Sequence, residues 1–317
     1  MAVLVTGGTG FVGRRLVHKL LRGGRVVVFS RHEDAALKQR GARFVLGTIT
    51  DKDALEKAFP GVKLVYHLAA NLDESDPAMV RDNVTGTRNV VELCRKHGTK
   101  LVFMSSCGVL GDAPLAREDA PVNPKTLYEK SKAESERLVI ESGVRYSIVR
   151  APVIIGPNDT WLDIFRAAQQ QYPVIGSGKN HFHLAYVDDV AEVLYRASRV
   201  RHATGKVFHV STKDSPTYEE VYTTLCSAMR AEMTPKKIPL AVMLLVSSIY
   251  SVYCAVLRKK PKLTMMKSSI LRLTRDRIVD MSNTRKILKF TPRYTTRRAI
   301  EATARFFSNR KMLQPLQ

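Results

Sequence analysis

The chain has 317 residues, 44% of them hydrophobic, which suits one large α/β unit plus a smaller one around a sizeable core. Its four scattered cysteines (Cys94, Cys107, Cys226, Cys254) form no C-x-x-C pair, which argues against a disulfide framework or a structural metal and for a reducing compartment. The formal net charge is +22, and from Arg258 onward 17 Lys/Arg face only Asp276, Asp280 and Glu301, which suggests an anionic partner (a membrane face, a nucleic acid or a phosphorylated substrate) beside the plain alternative of a solvated basic surface.

Val3-Leu4-Val5 reads as a short apolar strand that turns through glycines into a helix, with apolar spacing continuing to Leu21. Gly7, Gly10 and Gly13 fall as G-x-x-G-x-x-G. A strand, a glycine turn and a helix N-terminus together make a cradle for a dinucleotide pyrophosphate. The bare backbone can approach the phosphates, and unpaired N–H groups point at them. Gly7, Thr9, Gly10, Phe11, Val12 and Gly13 are therefore candidate cofactor contacts. The strand begins at residue 2, which leaves no room for a leader peptide, and the expected location is cytoplasmic.

Arg25 to Ser30 reads as a second strand, continuously apolar as in a parallel sheet covered on both faces. NAD-selective sites place an acid at its end to hold the ribose 2′-OH, whereas here Ser30 and Arg31 stand there. A hydroxyl and a guanidinium attract a 2′-phosphate, so the expected cofactor is NADP(H) rather than NAD, with Arg14 as a second phosphate contact.

Ala42 to Leu46 reads as a third strand, Lys52 to Phe59 as a helix capped by Asp51, and Leu64 to Leu68 as a fourth strand. The fourth strand ends in Ala69-Ala70, small enough for close backbone approach to a cofactor; His67 within it reads as a packed histidine. A long helix covers Pro77 to His97 and stops at Gly98. Leu101 to Met104 then delivers Ser105-Ser106 to the strand's C-terminal end, the edge where open parallel sheets bind ligands. Tyr128 and Lys132, at i and i+4, share one face of a helix running to about Glu141. An ammonium near a phenol lowers its pKa, and a hydroxyl such as Ser106 can bond the same substrate oxygen. The alternation of strands and helices predicts a doubly wound parallel sheet.

These stretches, in this order, resemble the extended short-chain dehydrogenase/reductases of the NAD-dependent epimerase/dehydratase superfamily. The matching stretches are Thr6 to Gly13, His67 to Ala70, Asn83 to Thr87, Ser105-Ser106, Tyr128 to Lys132, Arg150 to Pro157 and Tyr186 to Ala191. The resemblance runs through residue 191 and continues weakly around Asn283 to Lys286. It implies Tyr128 as catalytic acid/base, Lys132 as its tuner and ribose ligand, and Ser106, five residues before Gly111, as the oxyanion-side hydroxyl. Asn83 and Pro152 would sit near the cofactor. Cys107-Gly108 replaces the Asp-Glu pair of sugar-nucleotide dehydratases. Val153 and Phe182-His183 replace polar residues usual in sugar-nucleotide epimerases. Thr48 stands where relatives often place an Asp against the adenine. The pattern is most similar to the 3β-hydroxysteroid, sterol dehydrogenase and dihydroflavonol reductase branch. It implies an alcohol/ketone oxidoreductase with a sterol- or isoprenoid-like substrate and a cleft poor in polar anchors. The alternatives are a nucleotide-sugar epimerase, and a non-catalytic NADPH-binding subunit or assembly factor, whose usual mark is loss of the Tyr/Lys pair kept here. A homodimer is expected by analogy.

The expected organisation is a Rossmann unit over residues 1–150 with returning segments to about 211, and a smaller substrate unit over 151–317. The latter would hold helices from Trp161 to Gln171, Val187 to Arg199 and Tyr218 to Arg230, with a strand from Lys206 to Ser211. Trp161, Phe165, Phe182 and Tyr186 are candidates for an apolar cleft, with core packing expected for at least half of them. Ile238 to Leu257 carries no charge and lies between Lys236-Lys237 and Arg258-Lys259-Lys260. It is read as an interfacial helix or a buried lid ahead of a membrane span, and 236–262 as a contact for an anionic, cytoplasmic membrane face. No stacking aromatics are interleaved with the tail's charges, so nucleic acid is not an expected partner.

Overall fold

The computed structural model describes residues 2–169, 173–229, 236–259, 261 and 265–313. Seven parallel strands form the central sheet: β1 (Ala2–Thr6), β2 (Arg25–Ser30), β3 (Arg43–Leu46), β4 (Val62–His67), β5 (Lys100–Ser106), β7 (Tyr146–Ala151) and β11 (Lys206–His209). Their order is β11-β7-β5-β4-β1-β2-β3, a doubly wound, Rossmann-like arrangement. The order reverses between β1 and β4, which opens a crevice at their C-terminal ends. Three short parallel pairs lie outside the sheet: β6 (Leu115–Ala116) with β13 (Ile278–Val279), β8 (Val153–Ile155) with β10 (Leu184–Tyr186), and β9 (Val174–Ile175) with β12 (Lys237–Ile238).

The period-two alternation of the strands sorts the core into two layers. Val3, Val5, Val26, Val28 and Tyr66 face α1 (Phe11–Leu20) and α7 (Val187–Arg199). Leu4, Val27, Phe29, Val65 and Phe103 face α3 (Lys52–Glu56), α4 (Met79–His97) and α5 (Leu127–Glu141). The short α2 (Ala35–Gln39) follows β2. The remaining helices are α6 (Asp159–Gln169), α8 (Tyr218–Ala228), α9 (Leu240–Val256), α10 (Lys267–Thr274), α11 (Ser282–Leu288) and α12 (Thr296–Asn309).

Several boundaries differ from the sequence reading. Pro77 precedes the first turn of α4, whose N-cap is Ala78, while Gly98 does close it with φ +62°. The helix after Asp51 stops at Glu56, and the strand from Lys206 stops at His209. The helix expected to reach Gln171 ends at Gln169 and the one expected to reach Arg230 ends at Ala228; residues 170–172 and Arg230 lie outside the described residues. α9 buries only Ser247 and Cys254, so it is not a buried lid. No described helix is long and apolar enough to cross a membrane.

Candidate active site

The glycine turn folds as its spacing requires. Gly7 adopts φ +70°, and a methyl group there would stand 2.6 Å from the Ala69 nitrogen. A methyl group on Gly13 would stand 2.1 Å from the Gly7 carbonyl oxygen. Gly10 caps α1 with no side-chain bond to the first-turn N–H groups, so those donors face the cleft. This is a cradle that fits a dinucleotide pyrophosphate: bare backbone, a helix N-terminus, and space that a Cβ would fill.

The cleft, of about 610 Å³, runs from Gly7, Gly10, Phe11, Val12 and Gly13 past Ser106, Tyr128, Lys132 and Pro152 to the substrate side. It therefore unites the glycine turn with the three catalytic candidates. Thr9, Arg14, Ser30, Arg31, Ala69 and Asn83 do not line it. Arg14 is held by Asp34 at 2.8 Å, a partner absent from the sequence reading. Ser30 donates to the His32 carbonyl, and Arg31 is exposed. Asn83, expected near the cofactor, is engaged within the chain. Its amide donates to the Asn71 carbonyl and Ser131 Oγ, and its oxygen accepts from the Asn71 N–H. It braces the loop after β4 against α5.

Lys132 is buried, with Nζ donating to the Met104 carbonyl at 2.7 Å and lying 4.1 Å from the Phe103 ring centre. Burial pushes its pKa down to about 7. Burial pushes the Tyr128 phenol up to about 12, and the charge pulling it back down most is Arg272 on α10. Ser106 Oγ accepts from the Gly108 N–H at 3.0 Å and lines the cleft. Ser105 Oγ, also on the cleft wall, is buried without a partner.

A thread of polar contacts holds α5 in place. Glu136 and Arg150 form a buried, two-pronged ion pair at 2.9 and 2.6 Å between α5 and β7. Glu129 closes a capping box with Thr126 and pairs with Arg275 at 2.5 Å. His67 is buried between Thr6 and Thr87, and burial takes its pKa down to about 3. It is a packed histidine, as its sequence context implied.

On the substrate side, Trp161 and Phe182 line the cleft. Phe165 is instead core, edge-on to Phe307, and Tyr186 packs against Tyr294 with ring centres 4.0 Å apart and the rings tilted by 31°. The expectation of few polar anchors needs correcting, because Arg272, Arg275 and Arg277 all reach the cleft. Arg275 is neutralised by Asp112 and Glu129. Arg277 donates to the Cys107 and Gly111 carbonyls, and among the described residues its Nε is buried without a partner. Arg272 has Glu74 at 3.9 Å, beyond hydrogen-bond reach. Nothing local in the sequence marked these arginines, which arrive from a segment some 145 residues after Tyr128. Among the described residues no group of His, Cys, Asp or Glu could hold a metal ion.

A family model described as the NAD dependent epimerase/dehydratase family matches residues 3–211. The chain is 27% identical over 353 residues to 3beta-hydroxysteroid-dehydrogenase/decarboxylase isoform 1 of Arabidopsis thaliana, covering 97% of this chain and 80% of that one. It is 33% identical over 235 residues to the decarboxylating sterol-4-alpha-carboxylate 3-dehydrogenase of Homo sapiens, covering 67% and 62%. Among solved structures, UDP-glucose 4-epimerase of Thermotoga maritima superposes with a TM-score of 0.78 at 23% identity, over 98% of this chain and all of that one, a likeness of fold. The chain therefore belongs to the NAD-dependent epimerase/dehydratase family, as an NAD(P)-dependent oxidoreductase of the extended short-chain dehydrogenase/reductase type.

Proposed function

We propose that this chain interconverts an alcohol and a ketone on a hydrophobic, sterol-like substrate, with NADP(H) preferred over NAD. The observation that carries the reading is the convergence of Ser106, Tyr128 and Lys132 on the cleft that begins at the glycine turn. The bound dinucleotide supplies or accepts the hydride. Tyr128 exchanges the proton of the substrate hydroxyl, and Ser106 Oγ hydrogen-bonds the same oxygen. The N-terminus of α1 and the glycine turn bind the pyrophosphate. Lys132, freed from the Met104 carbonyl, holds the nicotinamide ribose and supplies the charge that brings the phenol down. Arg31, exposed just past the end of β2, favours a 2′-phosphate.

Leu72, Ile154, Trp161, Ile164 and Phe182 give the substrate side an apolar wall, suited to a fused-ring or long alkyl body. Arg272 and Arg277 supply incompletely neutralised positive charge beside it. The human relative is named for a sterol carboxylate, and a carboxylate next to the carbinol carbon is the group these arginines would hold.

The test is Tyr128→Phe in a cofactor-turnover screen with sterols, 3-hydroxy sterol acids and isoprenoid alcohols. Turnover should fall about 100- to 10,000-fold while NADPH affinity is unchanged; full turnover by the variant ends the reading. The same arginines favour one second reading, a nucleotide-sugar epimerase. Calorimetry with nucleotide sugars decides between them, because tight binding would favour the epimerase. The enzyme is also proposed to work at the cytoplasmic face of a membrane.

A further inference from the structure

α9 is a 17-residue helix without a single charged side chain, and it lies on the outside of the molecule. Leu245, Ile249, Val252 and Val256 are 62%, 62%, 64% and 75% exposed, and Val242, Val246 and Tyr253 add to the same apolar surface. A face of this size left in water is unfavourable unless something covers it. The opposite side is tied down: Leu240, Met243 and Leu244 pack on the core, and Ser247 Oγ donates to the Met265 carbonyl at 2.8 Å. The helix is therefore a fixed platform rather than a loose tail.

The charges around it select the occupant. Lys236 and Lys237 precede α9, Arg258 and Lys259 follow it, and no Asp or Glu occurs between Glu232 and Asp276. In a two-fold pairing of two copies through this face, parallel or antiparallel, basic ends would meet basic ends. An anionic bilayer offers what both parts need, an acyl layer for the apolar face and phosphate headgroups for the lysines and arginines. At about 1.5 Å per residue the helix is about 25 Å long, short of the ~30 Å hydrocarbon core, and a spanning pose would pull its folded neighbours into lipid.

We propose that α9 docks in the plane of an anionic lipid bilayer and that the substrate cleft loads from that surface. α9 packs on α10, and α10 carries Arg272 on the cleft wall. One short helix thus separates the membrane-facing surface from the substrate side, where Leu72 on the cleft lining is 57% exposed. Docking depends only on α9 and its flanks. The loading step rests on the oxidoreductase reading above.

The experiment is co-sedimentation of the full chain with vesicles of phosphatidylcholine alone and of phosphatidylcholine with 30% phosphatidylglycerol, each at low and high salt. Anionic vesicles should bind the protein at least tenfold more tightly than neutral ones, with the difference shrinking in salt. Ile249→Glu/Val252→Glu should abolish binding while leaving the melting temperature unchanged, because both side chains are exposed. A milder Ile249→Ser/Val252→Ser variant, weakened in proportion, covers the case in which the acidic pair fails to fold. Equal binding to neutral and anionic vesicles overturns the proposal, as does binding that survives both variants. A lipid-free dimer that the glutamates dissociate also overturns it, in favour of a second copy as the occupant. Turnover of a sterol alcohol in detergent and in vesicles separates the two layers. Activity in detergent with no vesicle binding sinks the docking alone. Vesicle binding with no turnover anywhere sinks the oxidoreductase reading alone.

Discussion

At the scale of single residues, the substrate side of the cleft is governed by which cations already have partners. Arg275 is committed to Asp112 and Glu129, whereas among the described residues Arg272 and Arg277 have no hydrogen-bonded carboxylate. Arg272→Met should therefore raise KM for a 3-hydroxy acid about tenfold or more, the size of a lost charge-assisted hydrogen bond. The matching methyl ester should be unaffected, and steady-state kinetics on the pair checks it. Just past the end of β2, Arg31→Ala should weaken NADP(H) while sparing NAD(H). Fluorescence titration with both cofactors reads the ratio, and unchanged selectivity would remove Arg31 from the site. Tyr128 shows how far a residue's surroundings act. The i, i+4 spacing to Lys132 was legible in the sequence, but the direction of the Lys132 side chain depends on a β5 carbonyl 28 residues away.

At the scale of elements, α5 must be held rigidly because it carries both Tyr128 and Lys132. The Glu136–Arg150 pair fastens it to β7, and both side chains are almost fully buried, at 2% and 4% exposure. Removing one partner leaves an uncompensated buried charge, so Glu136→Gln or Arg150→Met alone should cost about 3–5 kcal/mol. The double replacement Glu136→Met/Arg150→Met should cost much less than the sum. Denaturant unfolding of the three variants measures this, and additive losses would refute the pairing argument. Strand and helix boundaries from β1 to β5 were readable to within a few residues, because they follow local periodicity and glycine stops. α9 was readable as uncharged, but its exposure was not, since burial depends on what the rest of the chain leaves uncovered.

For the whole molecule, three buried histidines set the response to acid. Burial takes His67 and His209 down to about 3 and His183 to about 4. The unfolded chain takes up these protons near pH 6.5 and the folded one refuses them until much lower. Their contribution to stability is complete above about pH 6.5 and is lost as pH falls toward 4. Glu118, raised by burial, opposes this near its own range. Calorimetric melting temperatures should fall steadily from pH 6.5 to 4, and a flat profile would show that the histidines are not excluded from water.

The sequence by itself determined the parallel sheet, the cofactor cradle and the order of Ser106, Tyr128 and Lys132. Each of these is written in short-range spacing, where local sterics and hydrogen bonding decide the conformation. The tertiary structure alone decided that Arg14 is tied to Asp34 and that Asn83 braces a loop rather than reaching the cleft. It also brought Arg272 and Arg277 to the cleft that holds Tyr128, and left α9 bare. Those outcomes depend on contacts between distant segments, and on solvent access, which no local pattern of residues encodes.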